Sequence, residues 1–145
     1  MAESLQRSDI ARLIPHSGRM CLLDSVARFS AEEIVCTSRS HRDPDNPLCE
    51  GGELPVLALV EYAAQAAAVH AALVGAGIGD ERIALLGAVR DIACAHGSVP
   101  ARITQLWITA TALLQTEDGA IYRFSVEGDG AALTGGRLVL SIPEA

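Results

Sequence analysis

The stretch VLALVEYAAQAAAVHAALVG, residues 56–75, decides the fold. It is rich in alanine, the strongest helix former, it directly follows Pro55, and it ends at a glycine, so it predicts one long helix. The polar side chains that interrupt it are Glu61, Tyr62, Gln65 and His70. A helix that is apolar on nearly all sides must be enclosed by other elements if the protein is soluble.

A membrane span is the alternative interpretation of the same stretch. That interpretation would place Glu61, Gln65 and His70 inside the bilayer, and no arginine cluster or interfacial tryptophan flanks the segment. We therefore predict a core helix and no membrane insertion.

The segments on either side of the helix predict the strands that enclose it. Residues 20–29 and 32–41 form two β-type runs joined at Ser30-Ala31, which indicates a hairpin. A short helix that ends at Pro15 precedes them. Four more β-type runs follow the long helix, at residues 83–95, 103–115, 120–127 and 133–142. This order predicts one α+β domain over residues 1–145, an antiparallel sheet wrapped around a long central helix.

Composition excludes several classes of protein. The chain is 50% hydrophobic and 20% charged, which suits a single domain with a sizeable core. Its 18 acidic residues outnumber 11 basic residues, all of them arginine, and the net charge is −7. Non-specific binding to phosphates needs clustered positive charge, so we expect no nucleic-acid partner.

The cysteines and the N-terminus indicate the compartment. Cys21, Cys36, Cys49 and Cys94 lie far apart, without a CxxC pair or metal-ligand spacing, so we expect buried structural thiols and no metal site. The first ten residues, MAESLQRSDI, contain acidic residues and no apolar core, which is unlike a signal peptide. A reducing, cytoplasmic setting is the expectation.

Two motifs now resemble a known family. Residues 13–24, LIPHSGRMCLLD, resemble the opening motif of FabZ-type β-hydroxyacyl-ACP dehydratases, and residues 54–66, LPVLALVEYAAQA, resemble their helix motif. Residues 84–100 are similar to the strand that lines their acyl tunnel. The resemblance implies a hotdog fold, with Glu61 at the catalytic carboxylate and Gln65 at its partner glutamine.

The chain departs from the FabZ pattern at the catalytic histidine. That pattern places a Gly-His-Phe-Pro loop before the helix, whereas residues 46–52, NPLCEGG, contain no histidine. In this respect the chain is similar to the divergent ApeP-like dehydratases of aryl polyene gene clusters. The base is therefore open between His16, in the opening motif, and His41, at the end of the second predicted strand.

The predicted helix indicates how the acid would work. Because the predicted sheet wraps the helix, we expect Glu61 to be buried. Burial would favour the protonated form that a general acid needs. The alternative places Glu61 at a dimer seam, paired with an arginine. Gln65, one turn further on, could orient the carboxyl group. His70 lies about 180° around the helix from Glu61, so we interpret it as structural.

The start of the helix and a nearby strand supply the substrate-binding candidates. Free N–H groups after Pro55, at Val56 and Leu57, could hold a thioester oxygen. Residues 86–89, including Gly87, could line an acyl tunnel beside the alanine-rich face, although alanine equally suits tight packing.

These residues lead to one functional hypothesis and two alternatives. The first is dehydration of a 3-hydroxyacyl thioester, carried on acyl carrier protein or coenzyme A, to the trans-2-enoyl thioester in fatty-acid- or polyene-type biosynthesis. The resemblance implies a homodimer, or a heterodimer with a related hotdog subunit, and no cofactor or metal. The alternatives are a hotdog thioesterase and a non-catalytic acyl-binding or heterodimer subunit. An acidic carrier protein would need a local arginine patch, for which Arg19, Arg42 and Arg90 are the candidates.

Overall fold

A computed structural model describes residues 4–14, 20–74, 85–95 and 97–141. It contains two helices, α1 and α2, and seven strands, β1 to β7. In chain order these are β1 Leu5–Gln6, α1 Arg7–Ala11, β2 Ser25–Phe29, β3 Glu33–Ser38, α2 Leu59–Val74, β4 Leu85–Cys94, β5 Leu106–Gln115, β6 Gly119–Gly128 and β7 Ala131–Ser141. Two short 3₁₀ turns, Ser40–Arg42 and Val56–Ala58, follow β3 and precede α2. The predicted long helix is confirmed.

The strands form one antiparallel sheet in the order β1-β2-β3-β5-β6-β7-β4. The predicted hairpin is confirmed as the β2–β3 pair, and the four predicted strands after the helix are β4 to β7. β1 was not predicted, because two residues are too short to show a period. β4 follows α2 in the chain but pairs with β7, which places it at one end of the sheet.

α2 packs mainly against β3, β5, β6 and β7. Its buried face carries alternating large and small residues, among them Leu59, Tyr62, Ala63 and Ala66, each 0% exposed. The alanines let the sheet approach the helix closely, and each fully buried leucine or valine contributes about 1.5–3 kcal/mol. The sheet therefore covers the helix where these residues point.

The prediction that α2 is enclosed on all sides is wrong. Five positions three or four residues apart form an open stripe along one side of the helix and the turn before it: Leu57, Glu61, Ala64, Ala68 and Ala72. Leu57 is 59% exposed, and Glu61 and Ala72 are exposed as well. The strands that pack against α2 are consecutive in the sheet, from β3 to β7. They cover one side of the helix and leave the other side open.

β4 is also largely uncovered. Leu85, Leu86 and Ile92 on this strand are 49%, 36% and 38% exposed. A single chain thus leaves one flank of the helix and the last strand of the sheet open.

The segment Val56–Val74 is long and apolar enough to cross a membrane by length and composition. In this fold 56% of it is buried inside the protein, as in the core helix of a soluble domain.

All four cysteines are free. Cys21 and Cys36 are buried, as expected, and burial raises the pKa of Cys36 to about 12. Cys49 is half-buried, and Cys94 is exposed on β4, so the expectation of buried thiols is wrong for Cys94. It fails there because β4 is open.

Candidate active site

His41 lies in the 3₁₀ turn that follows β3, and it is buried rather than solvated. Its Nε2 atom is 2.7 Å from the carbonyl oxygen of Ile103. Because a carbonyl only accepts hydrogen bonds, Nε2 carries the proton and Nδ1 carries the lone pair. Nδ1 is buried and has no hydrogen-bond partner among the described residues.

Burial lowers the pKa of His41, and the bond to Ile103 offsets part of that effect. The imidazole is therefore neutral at pH 7, with its tautomer held by the backbone. A neutral imidazole with an unshared lone pair is the form in which histidine acts as a base.

A chain of hydrogen bonds ties the His41 turn to α2. The Asn46 amide donates to the Tyr62 hydroxyl at 2.9 Å and to the Ser40 carbonyl at 2.8 Å. The hydroxyls of Tyr62 and Ser40 are 2.7 Å apart, and Ser40 Oγ donates to the Leu22 carbonyl at 2.8 Å. Tyr62 is fully buried and directly follows Glu61. These hydrogen bonds therefore hold the His41 turn against the start of α2.

The roles of Tyr62, Ser40 and Asn46 were not predicted from the sequence. The available signal was a tyrosine on an otherwise apolar helix, because a buried hydroxyl needs a partner.

Gln65 does not orient Glu61, contrary to the prediction. Its Oε1 atom accepts a hydrogen bond from the Leu22 N–H at 2.9 Å, and its Nε2 atom donates to the Met20 carbonyl at 2.6 Å. Both ends of the amide are thus committed to the segment that precedes β2. Gln65 is 3% exposed, so its side chain lies on the packed side of α2.

The other candidate base, His16, lies outside the described residues. Gln65 holds the chain four residues later, at Met20, so the opening motif is anchored to α2 through this amide.

Glu61 is exposed in the single chain, so the expected burial is wrong. It belongs to the open stripe, which the sheet does not cover. Its carboxyl group faces away from the packed residues of α2, one position before the buried Tyr62. The alternative interpretation, a carboxylate at a seam between subunits, is compatible with this exposure.

The start of the helix offers fewer free amides than predicted. The Val56 N–H donates to the Gly97 carbonyl at 2.9 Å, so it is not available to a substrate. Pro55 and Ser98 form an antiparallel β-bridge next to this hydrogen bond. Together these contacts fix the start of the helix on the segment after β4. The Leu57 N–H has no partner among the described residues, and it stays a candidate donor at the open stripe.

The predicted acyl tunnel is not formed by the described residues of one chain. Gly87 lies on exposed β4, at an irregularity between Leu86 and Ala88 in the pairing with β7. A pocket of about 250 Å³ near the His41 turn is polar, with a lining of Arg7, Asp24, Arg39, Ser40, Asp43 and Asn46. An apolar tunnel would need a further surface against β4.

His70 is structural, as we interpreted it. Its Nε2 atom donates to the Ser30 carbonyl at 2.8 Å, so Nδ1 accepts from the Tyr122 hydroxyl at 2.6 Å. Burial lowers the pKa of His70, and burial raises the pKa of Tyr122 to about 12. In the part of the chain that the structure describes, no group of three or more His, Cys, Asp or Glu residues could hold a metal ion.

Solved structures share this architecture. The dehydratase heterocomplex ApeI:P from Xenorhabdus doucetiae matches with a TM-score of 0.82 at 25% identity, over 93% of this chain and 91% of that chain. A thioesterase from Haemophilus influenzae matches with a TM-score of 0.68 at 13% identity, over 99% and 94%. A mutant thioesterase from Pseudomonas aeruginosa matches with a TM-score of 0.60 at 15% identity, over 81% and 78%. The predicted hotdog fold is thereby confirmed.

No curated protein matches this chain. The model of the ApeP-like family, described as ApeP dehydratase, matches residues 8–145. This range contains both motifs on which the resemblance was based, and the antiparallel sheet with its central helix agrees with it. The chain belongs to the ApeP-like dehydratase family.

Proposed function

We propose that the protein removes water from a 3-hydroxyacyl thioester carried on acyl carrier protein, and releases the trans-2-enoyl thioester. The observation that carries this proposal is the buried, neutral His41 with an unpartnered Nδ1 atom, held against the start of α2. Such a lone pair can accept the proton that the neighbouring thioester makes acidic at Cα.

The elimination needs three groups. The substrate must first reach His41 Nδ1, which is buried in the single chain. Nδ1 then takes the Cα proton, the Cα–H electron pair forms the double bond, and the C3–O bond breaks. Glu61, as the protonated acid, gives its proton to the departing hydroxyl, which leaves as water. The Leu57 N–H would hold the thioester oxygen, where negative charge develops.

The exposure of Glu61 is the reason to propose a second subunit. A general acid works in a site from which water is excluded, and the single chain leaves Glu61 in contact with water. Covering the open stripe would take Glu61 out of water and favour its protonated form.

The same surface would complete the acyl tunnel. The edge of β4 is unpaired, and the exposed Leu86, which is opposite the buried Leu140, and Ile92 add apolar surface that a partner subunit would cover. The Xenorhabdus doucetiae structure is a heterocomplex. We propose a related hotdog subunit, or a second copy, as the partner of this chain, and a cytoplasmic setting for the reaction.

The test follows water loss from a 3-hydroxyacyl carrier protein by mass spectrometry. Wild type should form the enoyl product, and Glu61→Gln and His41→Ala should lower kcat at least about 100-fold, as loss of a general acid or base does. Glu127→Gln is the matched control, because it neutralises another exposed carboxylate on the outer face of the sheet.

Several outcomes would contradict the proposal. Full activity in Glu61→Gln would remove the acid from the mechanism. Loss of activity in His16→Ala with full activity in His41→Ala would transfer the role of base to His16. Release of free thiol without enoyl product would indicate the thioesterase alternative. The thioesterase structures described above have the same fold as this chain. No turnover at all by wild type with its partner would support a non-catalytic subunit.

A further inference from the structure

Three arginines lie side by side across the last three strands of the sheet. Arg123 on β6 is directly opposite Arg137 on β7, and Arg137 is directly opposite Arg90 on β4. Tyr122 and Leu138, the chain neighbours of Arg123 and Arg137, are fully buried, and Val89, which precedes Arg90, is opposite Leu138. The three arginines therefore lie on the face that points away from α2. All three are exposed. We call these residues the arginine row.

The arginine row works against the stability of the sheet. Like charges that are directly opposite on paired strands repel one another. The counter-charge that the structure shows is Asp91, whose Oδ2 atom is 3.6 Å from Arg137 Nε. The two side chains are 70% and 56% exposed, and such a pair adds little stability. Folding alone therefore gives no reason for the row.

The charge of the whole chain gives the row a role in recognition. With 18 acidic residues against 11 arginines, most of the surface repels an acidic protein. Three of the 11 arginines gather in this row, where the local charge has the opposite sign. An acidic partner is repelled elsewhere and attracted here, which favours both its rate of encounter and its orientation. The guanidinium fork also suits carboxylates and phosphates.

The row is close enough to the proposed site to serve it. Arg90 precedes Gly97 by seven residues, and the Gly97 carbonyl accepts the Val56 N–H at the start of α2. At about 3.3 Å per residue, Arg90 and Gly97 are at most about 23 Å apart. A carrier protein can dock its body at that distance, because it delivers the thioester on a long prosthetic arm.

Pairing of β4 with a partner strand would leave the row accessible. Strand pairing uses backbone groups at the edge, whereas the arginine side chains stand on the outer face. Arg90 was one of three arginines expected to contact a carrier. Of the other two, Arg19 lies outside the described residues, and Arg42 lies in the turn with His41.

We propose that Arg90, Arg123 and Arg137 form the docking surface for the acidic carrier protein that delivers the thioester. This proposal rests on the proposed function, and it names the partner surface of that reaction.

The experiment separates docking from chemistry. The triple variant Arg90→Gln/Arg123→Gln/Arg137→Gln is compared with wild type and with Arg28→Gln, which removes an exposed arginine from β2 at the far side of the same sheet. Binding of holo carrier protein is measured by fluorescence anisotropy from 25 to roughly 500 mM salt, a range that spans strong and weak screening. Turnover is measured with carrier-bound substrate and with the same acyl group on free pantetheine.

The triple variant should bind the carrier roughly tenfold more weakly at low salt and lose most of the salt dependence. Its KM for carrier-bound substrate should rise, with kcat and the turnover of the pantetheine thioester unchanged. Its melting temperature should equal or exceed that of wild type, because like-charge repulsion is relieved.

Three results would overturn the docking proposal: unchanged carrier binding in the triple variant, an equal loss in Arg28→Gln, or no carrier binding by wild type. Failure of the proposed function has a different signature, since neither substrate would then be dehydrated while carrier binding could still depend on the row.

Discussion

Replacing Gln65 by leucine tests the anchor between α2 and the segment before β2. Leucine has a similar volume but cannot accept from the Leu22 N–H or donate to the Met20 carbonyl. The Leu22 N–H is buried, and leaving it without a partner costs about 1–3 kcal/mol. Loss of the bond to Met20, which is 37% exposed and can be hydrated, costs about 1 kcal/mol. We expect the free energy of unfolding to fall by about 3 kcal/mol.

For a chain of this length, that loss lowers Tm by about 6–12 °C. Urea unfolding followed by circular dichroism gives the free energy, and limited proteolysis should show earlier cleavage before β2. Gln115→Leu is the matched control, because it removes one long, part-buried hydrogen bond of 3.5 Å from an exposed side chain and should cost less than about 0.5 kcal/mol. Gln65→Glu keeps an acceptor for the Leu22 N–H and loses the donor to the Met20 carbonyl, so its cost comes from that one bond and from the desolvation of a buried carboxyl group.

One combination of results would contradict the anchoring role of Gln65. If Gln65→Leu kept the stability of wild type and lost kcat, the side chain would act on Glu61 rather than on the N-terminal segment.

Three further predictions concern Tyr62, the two buried histidines and Cys94. Tyr62→Phe should lower the free energy of unfolding by about 1–2 kcal/mol in urea titrations, because one buried and one part-buried hydrogen bond are lost; a change below about 0.3 kcal/mol would contradict the role of this hydroxyl. Burial lowers the pKa of His41 and His70 below 6.5, so their neutral forms favour the folded state above pH 6.5, and this contribution is lost as the pH falls through their folded values. Melting curves should therefore show Tm decreasing from pH 7 to pH 5, with up to about 1.4 kcal/mol lost per pH unit for each group, and a flat profile would count against it. Maleimide should label exposed Cys94 before the buried Cys36, and addition of a partner subunit should slow the labelling of Cys94; equal rates with and without a partner would argue against an interface at β4.

Local patterns in the sequence were sufficient to predict most of the secondary structure. The alanine-rich run predicts α2 because helix propensity acts within a few residues, and apolar runs between turn residues predict β2 to β7 for the same reason. The extent of enclosure was predicted wrongly. Ala64, Ala68 and Ala72 on the open stripe are as apolar as the packed alanines, so composition does not distinguish a side covered by the sheet from one left open.

The contacts of the site were harder to predict, because they join residues far apart in the chain. Gln65 and Leu22 are separated by 43 positions, and Tyr62 and Ser40 by 22. Spacing on a helix placed Gln65 near Glu61, but the strands set the direction in which its amide points. His41 was a candidate by residue type, and its burial and tautomer depend on Ile103, 62 positions away.

The free edge of β4 also bears on how the protein is produced. An edge strand with exposed leucines and an isoleucine is a template for any other unpaired strand, including that of an identical chain. The amount of soluble protein in a cell should then depend on how much partner is synthesised beside it. If the proposed partner is a related subunit and not a second copy, matched translation of the two chains would protect this edge as each leaves the ribosome, and an excess of one chain would accumulate as aggregate.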